Sequence, residues 1–219
     1  MITSPRNETL KLVRKLHARR WRDKLGLFVA EGEDLVGAAG VEPVELLVAG
    51  ENVEAALLAE VSTLAHPPRV IGVYRRDDLP RGRRPVTLAL WHVADPGNVG
   101  TLFRAADAFG AGIALSPGCA DPTGPKALRA SAGSIWRVPI GLSGQQPLTG
   151  RRVALVAHGG TPLGETDLRG DVTFLLGAER EGLPGDVPFD ERASIPQAGG
   201  ESLNVAMAGA VALYERSRR

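Results

Sequence analysis

Residues 86–109, VTLALWHVADPGNVGTLFRAADAF, hold the pattern that decides the fold. Val86 to Val93 is an apolar run of strand length. Asp95-Pro96-Gly97-Asn98 then breaks the run, Pro and Gly shaping a loop, with Asn98 near the cap of the next element. From Val99 to Phe109 the apolar residues recur at helical spacing. Strand, short polar loop and helix in direct succession make the opening half of a βαβ unit, the building block of a parallel sheet.

The alternation continues in both directions. Downstream it predicts strands over 113–115, 137–140, 153–157, 172–176 and 193–195, a helix over 125–132 and a final helix over 202–216. Upstream, Ser4-Pro5 offers a helix start, with Leu10, Val13 and Leu16 at helical spacing, and this first helix is predicted to run to about Trp21. Strands are expected over 27–30, 44–49 and 70–74, with helices over 33–39 and 52–64. Between the two halves, Arg75, Arg76, Arg81, Arg83 and Arg84 are mixed with Asp77, Asp78, Pro80 and Gly82. The expectation is a small α/β domain over 1–74, a basic linker over 75–85 and a larger α/β domain over 86–219, each with a mainly parallel sheet.

Length and composition bound the function. The 219 residues are 43% apolar and 23% charged, an ordinary globular balance. Cys119, the single cysteine, cannot form an internal disulfide, and no apolar stretch approaches the ~18 residues of a membrane span. The N-terminus lacks the apolar core of a secretory signal. The expectation is a soluble, cytoplasmic protein with no membrane partner.

Net charge is only +1, yet residues 1–24 carry eight Lys or Arg against Glu8 and Asp23, leaving 18 basic and 23 acidic side chains for the rest. A polyanion would be drawn to that end. Arg14, Lys15, Arg19 and Arg20 are its candidate contacts, although a basic helix taken alone reads more readily as a solvated face.

Common chemistries lack their residues here. There is no G-x-G-x-x-G after a strand, no Walker A run and no G-x-S-x-G elbow, which weighs against a nicotinamide oxidoreductase, a P-loop enzyme and an acyl transferase. His17, His66, His92, His158 and Cys119 form no metal spacing, and no metal is expected. Three polar clusters remain, each just beyond the C-terminal end of a predicted strand, where open α/β sheets bind ligands. They are Asp95 to Arg104, Gly177 to Pro184 and Ile195 to Ala206. Arg104 could pair with an anion held near the first loop or with Asp107 on its own helix. Ser202 or Glu201 could simply cap the last helix.

All three clusters together, DPGNVGTLFRAADAFG at 95–110, FLLGAEREGLP at 174–184 and IPQAGGESLNVAMAGAVALYE at 195–215, resemble the SpoU (TrmH-like) branch of the SPOUT RNA methyltransferases. PKALRASAG at 125–133 is also similar, and Lys126 and Arg129 join the candidate RNA contacts. Residues 1–74, with Asn7, Lys11, Leu16 and FVAEG at 28–32, look like the substrate-binding domain of members that modify ribosomal RNA.

The resemblance implies a deep trefoil knot in the catalytic domain, a rare exception to unknotted topology. It implies S-adenosylmethionine as cofactor, at Gly177, Ile195, Leu203 and Ala157. It implies methyl transfer to a ribose 2′-hydroxyl of RNA, ribosomal rather than transfer RNA, with Arg104 as the activating residue supported by Asn98, Glu179, Ser202 and Asn204. A non-catalytic RNA-binding relative is the alternative. A guanidinium is effectively always protonated, so Arg104 is better suited to stabilise an alkoxide and grip a phosphate than to act as a base. Gln197, where the family usually carries Met, and a loop one residue short are departures that bear on cofactor geometry. The resemblance further implies a homodimer through the last helix, whose Ala206, Ala208, Gly209, Ala210 and Ala212 suit close packing.

Overall fold

Strand β4 (Val86–Leu90) sits near the middle of a seven-stranded sheet, in a computed structural model that describes residues 1–142, 148 and 150–219. Its companions are β5 (Gly112–Leu115), β6 (Ile140–Leu142), β7 (Arg151–Val156), β8 (Thr161–Pro162), β9 (Val172–Leu176) and β10 (Glu191–Ser194). They lie in the order β6-β5-β4-β9-β7-β10-β8, and every neighbouring pair is parallel. A parallel sheet needs cover on both faces, and all five residues of β9 are buried accordingly. The chain builds β4, β5 and β6 outward in one direction and then crosses to the other side of β4. β9 fills the place between β4 and β7, so the loops after β4, β7, β9 and β10 share one rim.

Three helices cover the sheet around that rim: α5 (Pro96–Ala108), α6 (Pro125–Ser131) and α7 (Val205–Ser217). Helix α5 starts with Pro96 in its first turn, and the Asp95 carboxylate accepts from the Asn98 N–H at 2.9 Å. Asp95 is therefore the cap, one turn ahead of the expected Asn98. Gly100 lets α5 and α6 touch, because a Cβ there would strike the Ala127 carbonyl and come within 2.6 Å of the Ala130 methyl.

The N-terminal part contains α1 (Glu8–Leu16), α2 (Arg19–Leu25), β1 (Leu27–Glu31), α3 (Glu33–Gly37), β2 (Glu45–Val48), α4 (Ala55–Val61) and β3 (Val70–Arg75). Its sheet is antiparallel, in the order β1-β3-β2, which corrects the expected parallel arrangement. Strands β1 and β2 do run the same way, but β3 returns between them and bonds to both. Alternating strands and helices specify the crossovers and not which strand fills the gap they leave.

The single first helix is also corrected. Asn7, not Ser4, caps α1, accepting from the N–H groups of Thr9 at 2.8 Å and Leu10 at 3.4 Å, and Ala18 is extended between α1 and α2. The cause is Arg22. Its guanidinium donates to the carbonyls of Leu16 and His17 at 2.8 Å each, the acceptors that a continuous helix would have offered to residues 20 and 21.

One face of the small sheet packs on α1 and α4 through Leu10, Val13, Val29, Leu58 and Ile71. The other face presents Phe28 and Tyr74 to Trp136, with ring centroids 5.4 and 4.7 Å away, and the Trp136 indole N–H donates to the Leu35 carbonyl at 2.9 Å. A buried ion-pair cluster joins the halves at a second place. Asp121, after β5, accepts from Arg22 at 2.7 Å and from Arg76 at 2.6 Å. Arg76 opens a 3-10 turn over Arg76–Asp78, and Leu79 is buried, so the start of the basic segment is docked rather than loose.

Candidate active site

At the shared rim lies a cleft of about 510 Å³, floored by the ends of β7, β9 and β10. Leu155, Leu176, Leu183, Ile195 and Leu203 line it with apolar residues, while Gly177 contributes backbone. The chain doubles back tightly here: a Cβ on Gly177 would run into the backbone of Gly182 and Leu183, so only glycine fits. Ala178 and Gly182 exchange backbone hydrogen bonds of 3.1 and 2.9 Å that close the 177–182 loop.

Polar side chains gather at the mouth. Asn98 Nδ2 donates to Glu179 Oε1 at 2.5 Å, and Asn204 Nδ2 donates to Asn98 Oδ1 at 3.1 Å. Asn204 is the N-cap of α7, its Oδ1 accepting from the Ala206 N–H at 2.9 Å and the Met207 N–H at 3.4 Å. The cap fixes the polarity of the whole chain of bonds, because an Oδ1 facing backbone donors turns Nδ2 toward Asn98. Asn98 must then accept with its oxygen and donate with its nitrogen. The result is an exposed carboxylate aimed by two amides, each tied to the start of a helix. Asp95 stands beside it, paired with Lys126 at 2.9 Å. Its pKa is held below the usual carboxylate range, first by the Lys126 hydrogen bond and then by the Asn98 N–H.

Ala157, Gly177, Glu179, Ile195, Ser202, Leu203 and Asn204 all line the cleft, and Asn98 joins it through Glu179 and Asn204. Ser202 and Glu201 do not cap α7, since Asn204 holds that place. Gln197, the departure in the third motif, also lines the cleft.

Arg104 is elsewhere. Six residues along α5 put it about 9 Å further up the axis and about 120° round from Asn98, on the exposed side of the helix and outside the cleft lining. It has no hydrogen bond or ion pair among the described residues, and Asp107, the alternative to an anion as its partner, is taken by Arg137 at 2.6 Å. Among the described residues no group of three or more His, Cys, Asp or Glu is placed to hold a metal ion.

The SpoU rRNA Methylase family model matches residues 85–214. The chain belongs to the SpoU family. An uncharacterized tRNA/rRNA methyltransferase of Synechocystis is 32% identical to it, over 100% of this chain and 93% of the relative. RlmP of Bacillus subtilis, a 23S rRNA guanosine 2′-O-methyltransferase, is 29% identical over 97% of each. Among solved structures, an AdoMet-bound rRNA methyltransferase from Sinorhizobium meliloti superposes with a TM-score of 0.87 at 29% identity, covering 99% of this chain and 97% of that one.

In this SpoU chain the expected RNA contacts divide. Arg14 is bound to Glu60 at 2.8 Å and to the Pro5 carbonyl at 3.0 Å. Arg19 donates to the Cys119 carbonyl at 3.2 Å, and Arg22, counted with the basic end, is buried. Lys15 and Arg20 remain at the surface, both over the Trp21 ring, where Lys24 joins them at 5.2 Å. Nothing in the sequence singles out Trp21, whose ring is framed by these three cations. On α6, Lys126 pairs with Asp95, while Arg129 donates to Thr63 at 3.1 Å across to the N-terminal part. No helix is long and apolar enough to cross a membrane among the described residues.

Proposed function

We propose that this chain transfers a methyl group from S-adenosylmethionine to a ribose 2′-hydroxyl of RNA, with ribosomal RNA preferred to transfer RNA. The observation that carries the reading is the aimed carboxylate of Glu179 at the mouth of an apolar cleft of ligand size. The residues fit the cofactor. Leu155, Leu176 and Leu203 offer apolar contact, the backbone at Gly177, Ile195 and Leu203 offers donors and acceptors, and the Glu179 carboxylate suits a cationic sulfonium. When bound, S-adenosylmethionine supplies an electrophilic methyl group.

The chain's own residues supply position and a proton acceptor. A ribose hydroxyl is a poor nucleophile, so it must be held in line and lose its proton as it attacks. Glu179, oriented by Asn98, takes that proton directly or through water, and Ser202 and Asn204 position the ribose. Arg104 stabilises the developing alkoxide and grips a neighbouring phosphate. Since Arg104 stands outside the cleft of its own chain, it does this for a second copy.

That second copy covers the outer face of α7. The small residues Ala206, Gly209 and Ala212 are buried against this chain's own core, so they are not the contact surface. Met207, Val211 and Tyr214, at 62%, 39% and 54% exposure, form an outward apolar stripe at helical spacing, and Phe109 from the end of α5 adjoins Tyr214.

Residues 1–74 serve as the RNA-binding domain and 75–85 as the connection to a catalytic domain at 86–219, supported by the two separate sheets. The catalytic part is threaded as a trefoil knot, consistent with β9 and β10 flanking β7 in the sheet. The setting is the cytoplasm, where ribosomal RNA is found in bacteria.

Calorimetric titration with S-adenosylmethionine, and then turnover on unmodified ribosomal and transfer RNA, tests the reading. Heat of binding and methylation of ribosomal RNA are expected. A silent titration with RNA binding retained would favour a non-catalytic binder, and preference for transfer RNA would overturn the substrate assignment.

A further inference from the structure

A second cleft, of about 610 Å³, opens between the segment Leu79–Arg83 and the loop after β5. Its floor is apolar, made by Leu79, Leu115, Pro117, Pro122 and Ile140. Its rim is cationic. Four guanidiniums, those of Arg19, Arg76, Arg81 and Arg83, line it against the two carboxylates of Asp23 and Asp121, with the Arg22 guanidinium buried behind Asp121 and the Asp77 carboxylate outside the lining. Each carboxylate is already engaged: Asp121 by Arg22 and Arg76, Asp23 by Arg19 and Arg76, Asp77 by Arg81. Arg83 has no hydrogen bond or ion pair among the described residues, and the lining carries four guanidiniums against two carboxylates.

We infer that this cleft is a docking site for an unpaired nucleotide of the RNA substrate, distinct from the methyl-transfer cleft. The chemistry matches at both ends of a nucleotide. Arg81 and Arg83 offer guanidiniums that pair with phosphate and stack on a base, and the proline and leucine floor takes the apolar face of an unstacked base. The site is pre-formed, because the Arg22–Asp121–Arg76 cluster that builds its back wall is the same one that fixes the N-terminal helices on the large sheet. Its place is also suitable. β5 and β7 are three strand spacings apart, roughly 14 Å, so a short single-stranded run could enter both clefts at once.

This inference rests on the RNA substrate proposed above, and its test reads RNA binding separately from methyl transfer. A ribosomal RNA fragment carrying 4-thiouridine is photocrosslinked to the full-length protein, and the crosslinked peptides are identified. Crosslinks within 79–83 or 115–123 are expected. Arg81→Ala with Arg83→Ala, both exposed positions, should raise KM for RNA several-fold without changing the affinity for S-adenosylmethionine. The double substitution should also lower the slope of log affinity against log salt by about 1.4, or ~0.7 for each phosphate of a single strand that is no longer neutralised. Crosslinks confined to α1, α2 and the methyl-transfer cleft, with KM and salt slope unmoved, would overturn the inference while leaving the methyltransferase reading intact. Crosslinks in the cleft with no methylation of any RNA would uphold it and sink the other.

Discussion

Replacing Asp121 with alanine would remove the acceptor at the centre of the cluster that joins the two halves. The carboxylate takes Arg22 Nε at 2.7 Å, Arg76 Nη2 at 2.6 Å, the Thr123 N–H at 2.9 Å and the Thr123 hydroxyl at 2.6 Å. The Asp121 and Arg22 side chains are 7% and 5% exposed, so solvent does not screen the pair and Arg22 would be left charged in the interior. Breaking a buried pair in this way costs about 3–5 kcal/mol. In a chain of this size each kcal/mol lowers Tm by about 2–4 °C, which gives a loss of roughly 6–20 °C.

The same group sets a pH dependence. Burial pushes the Asp121 carboxyl up, but the Thr123 hydrogen bond and the charges of Arg76 and Arg22 outweigh it and hold the pKa below its ordinary value. A depressed pKa in the folded state contributes stability that is present above the unfolded value and lost as pH falls through the folded one. Scanning calorimetry from pH 3 to 8 should therefore find a constant Tm gap between wild type and Asp121→Ala above about pH 5, narrowing below about pH 4. A gap under about 2 °C at pH 7, below the low end of the expected loss, or one that widens on acidification, would refute the reasoning.

Glu179→Gln keeps the Asn98 hydrogen bond but removes the proton acceptor, and single-turnover assays should show kcat down about 10²–10⁴-fold with RNA affinity retained. Mixing that variant with Arg104→Ala, each inactive alone, should restore about a quarter of wild-type turnover if sites are shared between copies of a two-fold dimer; no recovery would return Arg104 to its own chain. Val211→Glu places a charge in the apolar stripe of α7, and light scattering at micromolar concentration should show monomers where wild type gives dimers. Asn204→Ala removes the cap of α7, costing about 1 kcal/mol in denaturant titration, and should lower turnover as well by releasing Asn98.

The parallel sheet was legible in the sequence because buried strands carry short apolar runs, such as Phe174–Leu176, that end at glycine or proline loops. The three loops around the 510 Å³ cleft were legible for the same reason, and seven of the nine residues expected in catalysis or cofactor binding line it. Asn98 joins it by hydrogen bonds. The offset of Arg104 from Asn98 was legible, but which side of α5 faces the cleft was not, because that is set by how the helix packs on the sheet and on α6. The antiparallel N-terminal sheet was illegible since strand neighbours are chosen by long-range packing. The break after Leu16 depended on Arg22 reaching its carbonyls, and the eight basic residues of 1–24 gave no sign that Arg22 is buried or that Arg14 is spent on Glu60.

Methyl transfer to a ribose oxygen leaves a chemical mark that can be read directly. In alkali the 2′-hydroxyl attacks its own phosphodiester, so a methylated ribose resists cleavage at that one linkage. Unmodified ribosomal RNA incubated with the protein and S-adenosylmethionine, then hydrolysed and mapped at nucleotide resolution, should show one new protected position that is absent with Glu179→Gln. Methyl groups found only on bases, or a hydrolysis ladder unchanged from untreated RNA, would contradict the account.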